Sequence, residues 1–296
     1  MGPWQPEREH AKVGPGREIG VSYFRWAFAV LVALLPSFLK IPFYRLVYRY
    51  QIGKGVRIGF SPLLGVRRCR IGDHVRIGSL NLFYRIADLE IGHHVRIGFL
   101  NVFRGGERIQ VGDYATILRL NTFNAIIEGD FMEPAASVLD LGTGAVVTTG
   151  HWLDFSGSIQ IGAHAIVGGR NSSLWTHNRQ RARPVTVGCH TYLGSEVRIA
   201  PGVEISAFSI VALGSVLTGK LARPRVLIGG NPATITRDLR EEDLFLVTRK
   251  TRNDMPDVIA EALLDDDLKA LLRQGSASDR ENDLMVQEPV NDKGSR

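Results

Sequence analysis

The sequence is poor in cysteine: Cys69 and Cys189 are the only 2 in 296 residues. That is too few for a disulfide framework or a four-thiolate zinc site, and it fits a reducing cytosol. A long apolar run is also missing. The stretch Trp26–Leu35 is ten residues, stopped by Arg25 and Pro36, whereas a membrane-spanning helix needs about twenty. Zinc-finger spacing, an RRM-type aromatic signature and a basic zipper are absent, so no nucleic-acid partner is expected. With 44% hydrophobic and 22% charged residues, wholesale disorder is excluded, and a chain of this length can bury a substantial core in one large domain or two ordinary ones. Glycine is in excess, with 32 residues against 13 prolines, which implies many turns but not collagen.

The net charge of +6 conceals a gradient, for residues 1–110 are strongly basic and residues 238–296 acidic. A basic front suits an anionic membrane surface or a polyanionic substrate. Residues 1–18 read as a loose polar arm that does not resemble a signal peptide, and 19–50 as an apolar helical segment. Arg25, Lys40, Arg45 and Arg49, with Trp26, Tyr44 and Tyr48, suit a helix pair lying at a membrane surface. They suit equally a helix pair that packs on the next domain, and both readings stay open.

Self-similarity is the most informative feature. Three consecutive 20-residue blocks begin at Ile71, Ile91 and Val111, and Leu80-Asn81-Leu82-Phe83 returns as Leu100-Asn101-Val102-Phe103 and Leu120-Asn121-Thr122-Phe123. Inside each block runs a six-residue beat, an aliphatic residue usually followed by Gly: Ile71, Ile77, Phe83, then Ile91, Ile97, Phe103, then Val111, Ile117, Phe123. The beat resumes at Leu141, Val147, Leu153 and at Ile161, Val167, Ser173, and continues from Val187 to Leu217, with an earlier copy at Ile52 and Ile58. Six fits neither an amphipathic helix nor an alternating strand. It fits one face of a triangular parallel β-helix with three sixes per coil, so an all-β solenoid is expected over 52–235. Val111 to Leu141 leaves twelve residues beyond three sixes, and Ile161 to Val187 leaves eight. Both loops therefore leave one corner of the prism, where chemistry is expected.

From Trp175 the chain runs WTHNRQRARPVTVGCHTYLGSEVRIAPGVEISAFSIVALGSVLTGKL, and Gly230-Asn231-Pro232-Ala233 follows. A Thr-His loop, an aliphatic-Gly beat through Pro-Gly-Val and a GNPA ending resemble the hexapeptide-repeat acyltransferases, and among them the sugar O-acetyltransferases. The resemblance implies a left-handed parallel β-helix of triangular cross-section with helical N-terminal and C-terminal flanks, assembled as a homotrimer. It implies acetyl-CoA or another acyl-CoA as donor, no metal, and a saccharide acceptor, lipid- or nucleotide-linked, of the kind used in surface polysaccharide biosynthesis. The location that goes with it is cytoplasmic, at the inner face of the membrane if the N-terminal helices bind there. By residue match, His177 becomes the base. A sugar hydroxyl is too weak an acid to attack a thioester unaided, and an imidazole can take its proton as the C–O bond forms, while backbone N–H groups stabilise the oxyanion. The acyl-CoA groove would pass Gly194, Ser195 and Ala212, whose small side chains let a pantetheine arm approach the backbone. The family's Thr-Lys after the last coil reads Thr218-Gly219-Lys220 here.

His177 falls outside the beat, in the eight-residue surplus. His74, His94, His164 and His190 hold the polar fourth position of a six and read as exposed corner residues, with His93 beside them and His10 in the arm. His151 continues a column of Asn81, Asn101, Asn121 and Asn171 that is expected to point inward, where stacked amides bond one another. It reads either as a member of that ladder or as part of a catalytic set with His177 and Asp154. Asp154, on the corner from which the His177 loop departs, is expected to hold the imidazole in the needed tautomer. Trp175 is placed to stack on a sugar ring or the pantetheine arm, and Arg179, Arg181 and Arg183 to meet phosphates of CoA or of the acceptor, a solvated basic loop being the alternative. Trp175, Asn171 and Arg179 thus form the expected acceptor set, and Arg183 joins the donor set.

Leu244, Val247, Ile259, Leu263, Leu264, Leu268, Leu271 and Leu272 keep helical spacing around Pro256. Two helices over 236–273 are expected to close the prism, and 274–296 to be disordered. A zinc carbonic anhydrase on the same scaffold needs histidines five residues apart, and no two here are. A non-catalytic β-helix scaffold or assembly subunit stays open.

Overall fold

The computed structural model describes residues 23–126, 135–178 and 180–261. Over them the six-residue beat becomes three sheets of 8, 10 and 8 strands, each supplying one strand per coil, with two further strands added at one end of the ten-stranded sheet. In the first coil these strands are Gln51–Ile52, Arg57–Ile58 and Leu63–Leu64, and we call their sheets A, B and C. The inward residue of each six stacks on its counterpart. Ile52, Ile71, Ile91, Val111, Leu141, Ile161, Val187 and Ile205 make one parallel column of sheet A, and Phe83, Phe103 and Phe123 stack face to face in sheet C at 4.6 and 4.7 Å. A single coil cannot bury this face, so apolar burial stabilises it only when coils stack. The recurring Gly has a steric cause: a Cβ on Gly72 would sit 2.8 Å from the Gly92 carbonyl carbon of the next coil, and one on Gly112 would sit 2.6 Å from the Thr143 nitrogen.

The two N-terminal helices, α1 (Tyr23–Leu34) and α2 (Ser37–Leu46), pack on the first coil. The side chains of α2 satisfy the coil's free edge. Ser37 Oγ accepts from the Ile58 N–H and donates to the Ile58 carbonyl at 3.0 and 2.9 Å. Lys40 Nζ donates to the Ile58 and Gly59 carbonyls at 3.2 and 2.7 Å, and Arg45 Nη2 to those of Ile52 and Gly53 at 2.6 and 2.9 Å. An edge that would otherwise template another strand is thereby closed. Among the described residues no helix is long and apolar enough to cross a membrane.

The other end departs from expectation. It is closed by the strand Val226–Gly230, parallel to Ile210–Val211, and then by Ala233–Asp238, antiparallel to it. The helices α3 (Glu241–Thr248) and α4 (Asp257–Glu261) do not close the prism; the segment carrying them runs back along the corner between sheets A and B. There His190 Nδ1 bonds the Val247 carbonyl at 2.7 Å, His164 Nδ1 lies 3.2 Å from Thr251 Oγ1, and Arg96 pairs with Asp254 at 2.8 Å. His164 and His190 are therefore buried under this strap rather than exposed. Burial lowers both pKa values, His190 to about 4. The expected arm 1–18, the helix continuation 262–273 and the tail 274–296 lie outside the described residues.

A second correction concerns register. The strand Ile166–Arg170 carries one residue more than its neighbour, because Val147 pairs with Val167 but Thr149 with Arg170. Such a bulge advances everything after it by one position. Leu174, not Ser173, consequently fills the core column, and Ser172, not Asn171, follows His151 in the inward ladder.

Candidate active site

The outward third position of sheet C forms one register column through successive coils: Tyr84, Arg104, Asn124, Asp154 and Trp175. The surplus loops leave just beyond it. Residues 176–178 and 180–183 run back to back as a narrow hairpin in which His177 pairs with Ala182, and Asn178 Oδ1 accepts from the Gln180 and Arg181 N–H groups at 2.9 Å. The hairpin can lie this close because residue 157 has no side chain. A Cβ on Gly157 would sit 2.8 Å from the Thr176 carbonyl oxygen and 2.9 Å from the Arg183 nitrogen.

The hairpin covers Asp154, which is 1% exposed. A buried carboxylate requires donors, and the nearest are His177 Nδ1 at 2.7 Å, the Ser156 N–H at 3.2 Å and Asn124 Nδ2 at 3.3 Å, with Thr176 Oγ1 at 3.4 Å. Arg104 donates to Asn124 Oδ1 at 2.9 Å, which turns the amide so that its NH2 faces Asp154. Thr176 Oγ1 accepts from the Gly157 N–H at 2.8 Å and donates to the Asp154 carbonyl at 2.7 Å, pinning the loop's first residue to the strand beneath. A carboxylate against Nδ1 keeps the imidazole proton on that nitrogen and presents the lone pair at Nε2. The His177 side chain is 17% exposed, so the imidazole is partly accessible while its Nδ1 is held on Asp154.

Two tryptophans border it. Trp152 and Trp175 are 39% and 41% exposed and stack at 5.9 Å with 28° between their planes. Trp175 also meets the His177 ring edge-on at 6.4 Å. Paired, exposed indoles beside a fixed imidazole make a flat apolar platform with a proton acceptor at its edge.

His151 lies elsewhere. It is buried in the inward ladder, its N–H bonded to Asn121 Oδ1 at 2.9 Å. Its Nδ1 accepts from the Ser172 N–H at 3.1 Å, so Nε2 carries the proton and donates to Thr148 Oγ1 at 2.9 Å. Burial lowers its pKa to about 4. Both ring nitrogens are occupied inside the prism, so of the two readings of His151 the geometry is that of the ladder.

No family model matches the chain. An acetyltransferase by name from Saccharomyces cerevisiae is 39% identical over 62 residues, 21% of this chain and 31% of that protein. Galactoside O-acetyltransferase from Escherichia coli is 35% identical over 60 residues, 20% of this chain and 29% of that protein. The chain thus spans about a third of the length of these curated relatives. UDP-N-acetylglucosamine acyltransferase from Campylobacter jejuni has a similar structure over 82% of this chain and 88% of its own, with a TM-score of 0.50 and 22% sequence identity. The fold is that of the β-solenoid acyltransferases.

Within one prism of this acyltransferase fold, the expected residues divide between two corners. His177, Asp154, Trp175 and the exposed Arg183 gather where sheet C meets sheet A. Gly194, Ser195 and Ala212 follow strands of sheet B, and the exposed Asn171 sits on the same B–C corner, on the far side of sheet C. Close approach at that corner is real, since a Cβ on Gly194 would stand 2.8 Å from the Leu213 nitrogen. Arg179 lies outside the described residues. Sequence reasoning missed Asn124, Arg104, Thr176 and Trp152. Trp152 and Asn124 were accessible from the beat, as each neighbours the inward residue of a third six, Leu153 and Phe123 respectively.

Proposed function

We propose that this chain is an acyl-CoA-dependent O-acyltransferase that moves an acyl group, acetyl in the first instance, to a saccharide hydroxyl. The observation that carries the reading is the buried Asp154 carboxylate 2.7 Å from His177 Nδ1, beside the exposed Trp152–Trp175 platform. The platform takes the apolar face of a sugar ring and brings a hydroxyl to His177 Nε2. His177 accepts the hydroxyl proton as the oxygen forms the new ester bond, and returns it to the departing sulfur as the thioester C–S bond breaks. Asp154 keeps the ring in the acceptor tautomer and balances the imidazolium that forms. The donor supplies the activated acyl group.

The separation of the two corners supports an assembly in which the B–C corner of one copy, with Gly194, Ser195 and Ala212, faces the His177 corner of another, as in the homotrimer that the resemblance implies. Leu80, Leu100 and Leu120 line that B–C corner, 55, 42 and 52% exposed, each with a left-handed backbone at φ 62, 59 and 60°. Large side chains in that conformation are costly, and burial against a second copy would offset part of the cost.

Purified protein is titrated with acetyl-CoA by calorimetry, and then assayed for thiol release with a panel of mono- and oligosaccharides. Saturable binding with acceptor-dependent release, lost in His177→Ala, is expected. Binding without release from any acceptor, or release unchanged in His177→Ala, defeats the assignment and favours the non-catalytic scaffold.

A further inference from the structure

We infer that the helical cap is a docking surface for an anionic lipid bilayer. Residues 19–72 contain nine Lys and Arg and no Asp or Glu. The inward faces of α1 and α2 are spent on closing the first coil, through Ala29, Val32, Ser37, Lys40 and Tyr44. Their outward faces are apolar without need of the prism. Phe28, Leu31, Leu34, Phe38, Leu39 and Leu46 are 39 to 83% exposed, and large apolar side chains gathered on exposed helix faces mark interaction sites. α1 has 12 residues and α2 has 10, so they lie in an interface and do not span it.

Charge selects the occupant. The exposed Arg45 and Arg57 line the same groove as Phe38, Ile41 and Pro42, and Arg49 and Lys54 are exposed nearby in the chain. By register Arg57, Arg76 and Arg96 form an outward column rising from that groove along sheet B. Apolar side chains with Arg45 and Arg57 in the same groove fit acyl chains below anionic headgroups. A second copy of this chain fits poorly, because a two-fold contact would set Arg45 and Arg57 of the two grooves against each other, and the nearest carboxylate in sequence, Asp73, already accepts from the Lys54 N–H at 2.6 Å. With the cap on the bilayer, the His177 loop, which follows the sixth strand of sheet C, stands five strand spacings away, about 24 Å.

The test is flotation of the full chain with vesicles of phosphatidylcholine alone or mixed with phosphatidylglycerol, over a range of salt. Binding to the mixed vesicles, weakening with salt, is expected. Leu31→Ser with Phe38→Ser lowers the partition at least tenfold at every salt concentration. Arg49→Gln with Arg57→Gln lowers it by about fivefold per arginine, the factor corresponding to ~1 kcal/mol for each cation at an anionic surface. All four side chains are exposed, so unchanged thermal melts distinguish lost docking from lost folding. No binding to either vesicle, equal binding to phosphatidylcholine alone, or binding that survives both double variants overturns the inference. So does a lower solution mass for Leu31→Ser with Phe38→Ser, which would mean that a second copy covers this face. None of these readings depends on catalysis.

Discussion

His177 Nδ1 stands 2.7 Å from Asp154 Oδ1 although the two are 23 residues apart. The pair exists because consecutive coils place Asp154 and Trp175 side by side in sheet C, and the chain then doubles back two residues later. Asn124 holds the other carboxylate oxygen, Oδ2, and the Ser156 N–H shares Oδ1 with His177, so His177 meets a partner fixed through both oxygens.

Asp154→Asn tests that relationship. It keeps the shape but can donate to Nδ1 and so favour the wrong tautomer. We expect acyl transfer to fall about 10²- to 10⁴-fold in kcat with acceptor KM nearly unchanged. A kcat within about threefold of wild type would remove Asp154 from the mechanism.

Gly157→Ala tests the positioning of the loop. The new Cβ meets backbone atoms at 2.8 and 2.9 Å, and the hairpin is the element free to yield. Misplacement by about 1 Å commonly costs on the order of 10² in rate. Steady-state kinetics and thermal melts are expected to show a large loss of kcat with only a modest loss of stability; a loss confined to stability would contradict this account.

Trp152→Ala and Trp175→Ala separate acceptor from donor. Each removes half of the stacked platform, and a stacking interaction of this kind is worth ~1 kcal/mol. Acceptor KM is expected to rise about three- to tenfold in each variant, with acetyl-CoA affinity measured by calorimetry unchanged. The reverse pattern would assign the platform to the pantetheine arm.

Acid sensitivity follows from His151 and His190, both lowered by burial from 6.5 to about 4. Between those values the unfolded chain takes up protons that the folded one refuses. Stability is therefore fully present above about pH 6.5 and is lost as the pH falls toward 4, by a few kcal/mol per histidine in order of magnitude. Thermal melts between pH 7 and 4.5 measure it. His151→Asn, which puts the ladder's usual residue in place, is expected to lessen the acid loss and to retain acyl transfer at pH 7. Abolished transfer in a folded His151→Asn protein would return His151 to the catalytic set.

The period of six sufficed to place the inward columns and both surplus loops, because a solenoid repeats one local rule and each coil meets only its neighbours. It failed at Asn171 and Ser173, where one additional residue in Ile166–Arg170 moves the register. A bulge leaves no signature in a beat that tolerates small and β-branched residues alike. His164 and His190 read as exposed corners for a different reason: what buries them is Val247 and Thr251, 57 and 87 residues away.

Sequence alone thus determined the prism and the corner from which the His177 hairpin leaves, since each depends on local spacing; the base role of His177 came from the family resemblance, and Asp154 joined it by its place on the same corner. Tertiary structure alone decided that Asn124 and Arg104 stand behind Asp154, that Trp152 joins Trp175, and that the C-terminal segment straps a side of the prism instead of closing its end. Those contacts form between coils or between distant segments, where the energy depends on which surfaces meet and not on the order of residues along the chain.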